Sequence, residues 1–449
     1  MTKSFFGTDG VRGPVGIEPI TPKTIAHLGW ALGTVIKKHY GKGRVLVGKD
    51  TRVSGYLLES SMEAGLSSAG MDVMMLGPLP TPAIAYLTQT ARANAGVVIS
   101  ASHNNYADNG IKFFAPDGSK VSDQIQSEIE ALMSQSMSVV ESKVLGKAYR
   151  MDDAVGRYVE FCKATIPRKM SFKGLKIALD CANGAAYQTS PAAFEELGAK
   201  VHVINNTPDG FNINNKCGST HIEGLQQTVL EHGCDVGIAF DGDADRVLMV
   251  DKNGKVVDGD QLLFVIANSR KKQGRLDGGV VGTQMSNLGM QKALEAQGIP
   301  FVRAQVGDRY VMQELKARDW TLGGESSGHI ICLDKTTTGD GLVSALQVLV
   351  QMQFMERSLD ELASEMQMYP QKMINVRLPE GADASTVCKM QSVLAAVSDT
   401  ESTLADKGRV LLRPSGTEPV IRVMVEGQDE DLVNASCQKL ADFVSSQLT

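Results

Sequence analysis

Asn94-Ala-Gly-Val-Val-Ile-Ser-Ala-Ser-His-Asn-Asn-Tyr-Ala-Asp-Asn-Gly-Ile-Lys-Phe-Phe114 joins an apolar run to an abrupt polar loop. Val97, Val98 and Ile99 are consecutive and β-branched, the pattern of a strand buried on both faces. Ser100, Ala101, Ser102, His103, Asn104 and Asn105 follow at once, all small or polar. In an open α/β sheet, ligands collect at the carboxyl ends of strands. Two hydroxyls beside a histidine at such an end point to a nucleophile. The competing reading is a Ser/Asn-rich turn without chemistry.

The same arrangement recurs on either side. Thr21-Pro22 opens a helix, with Thr at the N-cap and Pro at the first helical position, and its apolar face is Ile25, Leu28, Leu32, Val35 and Ile36. Residues 45–47 read as a strand with Gly48-Lys49-Asp50-Thr51-Arg52 as its polar mouth. Gly43 and Gly48-Lys49 imitate a phosphate-binding P-loop, but Asp50 occupies the hydroxyl position and the intervening residues are strand. A helix carrying Leu58, Met62 and Leu66 and a strand over 73–76 continue an alternation that implies βαβ units and a largely parallel sheet. Residues 134–153 are less apolar and read as a linker. A second unit has strands at 176–179, 200–204 and 236–240, then Asp241-Gly-Asp243-Ala-Asp245-Arg246 and a hairpin about Asn253-Gly254. A third has strands at 279–281 and 320–322 before Gly323-Gly-Glu-Ser-Ser-Gly-His329. Past Pro370 short strands, the turn Arg413-Pro-Ser-Gly-Thr-Glu-Pro419 and an amphipathic helix through Val433, Cys437, Leu440 and Val444 form a tail. The expected fold is three similar mixed α/β domains (1–152, 153–255, 256–369) and a smaller C-terminal α+β domain (370–449) around a central cleft.

Bulk properties narrow the function. A chain of 449 residues with 43% hydrophobic and 21% charged residues has ample core for several domains. A net charge of −6 without a basic cluster argues against nucleic acid as main partner. The apolar runs are too short for a membrane span, and the first residues do not read as a signal peptide. Seven scattered cysteines without a Cys-x-x-Cys pair suit buried thiols in a reducing cytoplasm.

The chemistry lies in the loops. In an extended segment Asp241, Asp243 and Asp245 would point to one side. Two such charges about 4 Å apart repel by roughly 4 kcal/mol at an effective dielectric of 20, so three together call for a cation. All-oxygen donors favour a hard ion, Mg²⁺ first. An EF-hand is excluded, because Arg246 fills its glycine position and Lys252 its bidentate glutamate position. The plain alternative is a solvated acidic turn. The Arg413–Pro419 turn, with Arg422 beyond it, offers backbone N–H groups, hydroxyls and arginine forks to a phosphate dianion; it also reads as a simple hairpin turn. Glu325 and Ser327 can bracket sugar hydroxyls and His329 can move a proton. Asp334-Lys335-Thr336-Thr337 imitates the phosphorylated aspartate motif of ion pumps, without the glycine or the membrane helices. A metal, an activated hydroxyl and an arginine pocket specify phosphoryl transfer. No nucleotide motif survives, so the phosphate donor is expected to be a phosphoserine of the chain itself.

Phe6-Gly-Thr-Asp-Gly-Val-Arg-Gly13, Ser100-Ala-Ser-His-Asn104, Asp108 to Phe114, Asp241 to Arg246, Gly307-Asp-Arg-Tyr-Val311 and Arg413 to Pro419 occur in this order, and with them the whole chain resembles the α-D-phosphohexomutase superfamily. The resemblance implies four domains around a cleft. It implies a phosphorylated Ser102 sharing Mg²⁺ with Asp241, Asp243 and Asp245. Arg12, Lys112 and Arg246 match residues around the transferring phosphate, with Lys112 and His329 as proton carriers. Glu325 and Ser327 match a sugar-hydroxyl loop, and Arg413, Ser415, Gly416, Thr417 and Arg422 a distal phosphate loop. Ser100 is a second hydroxyl open to modification. The implied activity interconverts glucosamine 6-phosphate and glucosamine 1-phosphate through a glucosamine 1,6-bisphosphate that also serves as activator. The product would feed UDP-N-acetylglucosamine, and a homodimer is a further expectation.

One position departs from the superfamily pattern: Asn105 stands where proline is usual. Proline would fix φ near −65°, so a looser serine loop is expected. Other activities compatible with the motifs are phosphoglucomutase/phosphomannomutase, a magnesium-dependent phosphatase with Asp241 as nucleophile, and a silent sugar-phosphate-binding protein.

Overall fold

A computed structural model describes residues 6–7, 10–379, 382–415 and 419–448. Its strands form four sheets. In the first, Arg44–Lys49 lies parallel to both Asp72–Pro78 and Ala95–Ile99. Asp108–Phe114 then adds antiparallel to Ala95–Ile99, and Val11–Pro14 antiparallel to Asp108–Phe114. Every residue of Ala95–Ile99 is buried, as the β-branched run requires. Thr21 caps the helix Pro22–Tyr40 through its side chain, which accepts from Thr24 N–H at 3.3 Å. The stretch 134–153 is more ordered than a linker: Ser142–Val144 makes a 3₁₀ turn and Ala148–Arg150 joins the first sheet as its sixth strand.

The second sheet is ordered Val256–Val257, Val247–Asp251, Val236–Phe240, Lys176–Asp180, Lys200–Ile204. Val256–Val257 closes the hairpin about Asn253-Gly254, so this sheet runs two residues past the division expected at 255. In the third, Val280–Thr283 is flanked by Phe301–Ala304 and Leu322–Gly324, both parallel, and Ile330–Cys332 adds at the edge. The strand expected at 320–322 is thus shifted toward Gly324, because Trp320 precedes the ladder. The fourth is an antiparallel sheet of Gln371–Arg377, Val420–Gly427 and Gly408–Pro414, backed by the helices Gln391–Leu404 and Glu430–Ser446.

The first three units share one apolar core. Ile84 and Leu87 from the first, Phe194 and Phe240 from the second, and Leu262, Leu346 and Leu349 from the third belong to a single buried cluster. The helix Gly341–Met355 runs through it, buried at every residue from Gly341 to Met352. The fourth unit has a separate core of Val376, Ile421, Val423, Val425, Cys437 and Leu440. All seven cysteines are free thiols. No helix among the described residues is long and apolar enough to cross a membrane.

Candidate active site

Ala95–Ile99 delivers Ser100 to the end of the first sheet beside Asp50, which terminates its parallel neighbour. Ser100 donates to Asp50 Oδ2 at 2.6 Å and accepts Ser102 N–H at 2.9 Å. Ser102 takes a left-handed φ of 52°, which turns its side chain out of the strand line and across to the second unit. Its Oγ donates to Asp241 Oδ2 at 2.7 Å and lies 3.3 Å from His103 Nδ1. Burial, with Arg246 and Arg12 adding to it, pushes the His103 ring down to about 4, so it is neutral at pH 7.

The serine loop is pinned, contrary to the looseness expected from Asn105. Arg52, buried against Asp50, donates to the carbonyls of Ser102 at 3.0 Å, Asn104 at 2.8 Å and Asp108 at 3.1 Å, and also to that of Asn105. Asn214 of the second unit donates to the Ser102 and Asn104 carbonyls at 2.8 and 2.9 Å. Asn105 makes its own turn, its Oδ1 accepting Ala107 N–H at 2.9 Å. A guanidinium fork thus supplies the constraint that a proline would have supplied.

The three aspartates converge, though not by strand alternation. Val236–Phe240 ends at Asp241, and the segment beyond is a turn in which Ala244 has φ 57° and donates N–H to Asp241 O at 3.1 Å. This curl, rather than a pleat, brings one carboxylate oxygen from each of Asp241, Asp243 and Asp245 within 4.8 Å of the others. Gly242 is required there, because a Cβ would lie 2.5 Å from Ser102 O. Asp243 Oδ2 accepts from Thr81 Oγ1 at 2.7 Å and Lys112 Nζ at 3.0 Å, and Lys112 also reaches Asp245 at 3.4 Å. Lys112 arrives from Asp108–Phe114, where it pairs with Val98. Burial and the charges of Asp243 and Asp245 raise the Asp241 carboxyl well above the usual range. For Asp245 burial pushes the same way, but Lys112, His329 and Arg246 outweigh it and hold its carboxyl low.

Two buried oxygens of this cluster, Asp243 Oδ1 and Asp245 Oδ1, have no hydrogen-bond partner. With His329 Nδ1 at 3.6 Å and Arg246 Nε at 3.9 Å from Asp245 Oδ1 as its nearest cations, a crowded set of carboxylate oxygens left without hydrogen bonds fits a hard divalent cation. Among the described residues this is the one cluster of its kind.

A cleft of about 490 Å³ opens beside the cluster. It is lined by Arg12, Asp245 and Arg246, by Thr283 and Met285, by Glu325, Ser326, Ser327 and His329, and by Arg413 and Arg422. His329 Nδ1 lies 3.6 Å from Asp245 and Nε2 3.7 Å from Asp308. Burial opposes its charge, but these acids raise it to about 9. Glu325 is fixed by accepting Gly307 N–H at 3.0 Å. Arg413 and Arg422 are cross-strand partners in the fourth sheet. Burial, then the like charge of Arg422, pulls the Arg413 guanidinium below its usual value, so an anion at this end would be favoured. Ser415 N–H closes the turn onto Val420 O at 2.9 Å. Gly416 and Thr417 lie outside the described residues.

Arg52, Asn214 and Asp308 were not picked out as site residues from the sequence. Arg52 stood in the polar mouth 48–52 and Asp308 in the motif 307–311, so both carried a positional signal. Asn214 sits in an Asn-rich loop with none.

Family models for phosphoglucomutase/phosphomannomutase match in series: alpha/beta/alpha domain I over residues 3–139, domain II over 156–254, domain III over 258–369 and the C-terminal domain over 373–443. The chain belongs to this family of sugar-phosphate mutases. Within it the chain is 57% identical over 448 residues to phosphoglucosamine mutase of Alcanivorax borkumensis, covering 100% of both chains. It is 55% identical, at the same coverage, to phosphoglucosamine mutase of Hahella chejuensis. A solved phosphoglucomutase/phosphomannomutase family protein from Burkholderia thailandensis shares the fold with a TM-score of 0.82 at 21% identity, over 99% of this chain and 97% of that one. Aspergillus fumigatus N-acetylphosphoglucosamine mutase, in complex with GlcNAc-6P and magnesium, gives 0.73 at 16% identity, over 99% and 96%.

Proposed function

We propose that the protein interconverts glucosamine 6-phosphate and glucosamine 1-phosphate by way of a phosphorylated Ser102 and a bound glucosamine 1,6-bisphosphate. One observation carries this reading: the Ser102 hydroxyl is 2.7 Å from Asp241 in an acid cluster, and Asp245 of that cluster lines the same cleft as Arg413 and Arg422. A substrate with phosphate at one end and a receiving hydroxyl at the other spans such a cleft. Full-length relatives named phosphoglucosamine mutase support the amino-sugar substrate.

The phosphoryl group leaves Ser102 Oγ and bonds to O1 of the 6-phosphate. The proton released by O1 ends on Ser102 Oγ, with Lys112 and His329 as its carriers. Arg12 and Arg246 neutralise charge on the moving group. Glu325 and Ser327 hold sugar hydroxyls, and Arg413, Ser415, Gly416, Thr417 and Arg422 the far phosphate. After the bisphosphate reverses end for end, its 6-phosphoryl group returns to Ser102 and the 1-phosphate leaves. Asp241, Asp243 and Asp245, with an oxygen on Ser102, would hold one Mg²⁺ per chain, which when bound supplies charge neutralisation. Product use in UDP-N-acetylglucosamine synthesis, a homodimeric state and a cytoplasmic location belong to the same reading.

Intact-mass and phosphopeptide analysis tests it. An acid-stable phosphate at position 102, lost with isomerase activity in Ser102→Ala, is the expected result. An acyl-phosphate on Asp241, or tight binding without interconversion, overturns it. Faster turnover of glucose or mannose phosphates would move the substrate assignment to phosphoglucomutase/phosphomannomutase.

A further inference from the structure

Arg409 and Glu426 face each other across the antiparallel pair Gly408–Pro414 and Val420–Gly427. The same register sets Arg413 opposite Arg422, so the two pairs mark two ends of one ribbon, roughly 13 Å apart along its strands. At the near end Arg409 donates to Gln284 O and Ser286 O, both at 2.8 Å, and to Glu426 Oε2 at 2.7 Å. Glu426 is fully buried, and its other oxygen accepts Leu288 N–H at 2.9 Å.

The segment gripped in this way, residues 284–288, belongs to the third unit. Next to it Thr283 ends the strand Val280–Thr283 and lines the cleft together with Met285. From the other side Arg303 donates to Thr283 O at 3.0 Å and to Ser286 O at 2.6 Å. The Ser286 carbonyl is therefore shared by one guanidinium from each unit. Because the fourth unit has its own core, its orientation depends on polar contacts of this kind rather than on a continuous apolar seam.

We infer that Arg409 and Glu426 are positioning residues: their grip on residues 284–288 sets how far Arg413 and Arg422 reach into the cleft, and so the span between the two phosphate poles. The inference deepens the proposed function and rests on its distal-phosphate reading.

Removing Arg409 alone would leave a buried carboxylate without its cation and endanger the fold. The informative variant is the double one, R409M/E426Q, in which neither residue is charged and glutamine keeps an acceptor for Leu288 N–H. Its KM for glucosamine 6-phosphate should rise roughly tenfold with kcat within about threefold, the split expected when substrate binding rather than the chemical step is disturbed. Amide hydrogen exchange over 284–288 should quicken, while exchange over 95–99 stays as in the wild type. R409K, which keeps charge but cannot fork onto two carbonyls, should fall between. Unchanged KM in an active variant overturns the inference, whatever exchange shows. Failure of the wild type, assayed alongside, to interconvert the isomers overturns the functional reading and the clamp's role with it.

Discussion

Arg52→Met isolates what holds the serine loop. The side chain is fully buried, and its loss removes five donated hydrogen bonds, one to Asp50 and four to carbonyls of residues 102 to 108. Asn214 still serves the Ser102 and Asn104 carbonyls, so the heaviest loss falls on Asp50, left buried without its cation. Breaking one side of a buried ion pair costs about 3–5 kcal/mol, a large share of the 5–15 kcal/mol that holds a typical domain. A serine displaced by about 1 Å should transfer phosphate roughly 100-fold more slowly. Denaturant unfolding and single-turnover phosphorylation of Ser102 by glucosamine 1,6-bisphosphate measure the two effects.

The pH dependence has a defined sign. Burial already raises the Asp50 carboxyl despite Arg52, and without the guanidinium it must rise further. A carboxyl whose folded pKa exceeds its unfolded value contributes stability below the unfolded pKa and loses it as pH rises through the folded one. The R52M deficit is therefore greatest near neutral pH and shrinks on acidification. R52M/D50N should recover stability at pH 7 without recovering the transfer rate. An R52M protein within about 1 kcal/mol of wild type, with transfer slowed less than about threefold, would refute the pinning account.

Other consequences are as direct. In chelator, Asp241→Asn should raise the melting temperature by about 2 °C or more, because it relieves repulsion among carboxylates crowded within 4.8 Å; it should also abolish the rise that Mg²⁺ gives the wild type, as scanning calorimetry with and without the metal will show. Gly242→Ala sets a Cβ 2.5 Å from Ser102 O and should cut kcat by about 100-fold with the far-UV spectrum unchanged. Arg422→Ala should raise KM for glucosamine 6-phosphate by roughly 10- to 100-fold, the range expected for a lost charge-assisted contact, in steady-state assays.

The sequence was most legible where one strand feeds one loop. Val97 to Ile99 and Val236 to Phe240 are buried strands, and the loops beyond them, at Ser102 and at Asp241 to Asp245, meet across the cleft. The aspartates converge through a curl about the left-handed Ala244, where alternation along an extended segment implies a pleat. The helix Gly341–Met355 gives a weak signal because its first twelve residues are buried on every side: Ser344, Gln347 and Gln351 recur at helical spacing but face the interior, so no charged, solvated face marks its period. The sequence places Arg52 in a polar strand mouth and Asn214 in an Asn-rich loop, but for another reason it assigns neither a partner. They act on backbone carbonyls, and no side-chain pattern in residues 102 to 108 reports which donor a carbonyl will find.

The distribution of core explains why the two phosphate poles differ in kind. Ser102 and the aspartates stand on sheets whose apolar faces merge into one cluster, so a shift of one loop against the other would have to open close-packed interior. Arg413 and Arg422 stand on a sheet with its own core, joined to the rest through polar contacts such as those of Arg409 with the Gln284 and Ser286 carbonyls and of Glu426 with Leu288 N–H. Polar contacts can re-form with water where a whole unit turns and admits solvent, a route that close-packed apolar interior does not offer. A bisphosphate that must reverse end for end without escaping requires one pole to yield while the other keeps its geometry. On the proposed function, the arginine pole, on its separate core, is the one suited to yield, and the serine pole, on the shared core, the one suited to hold.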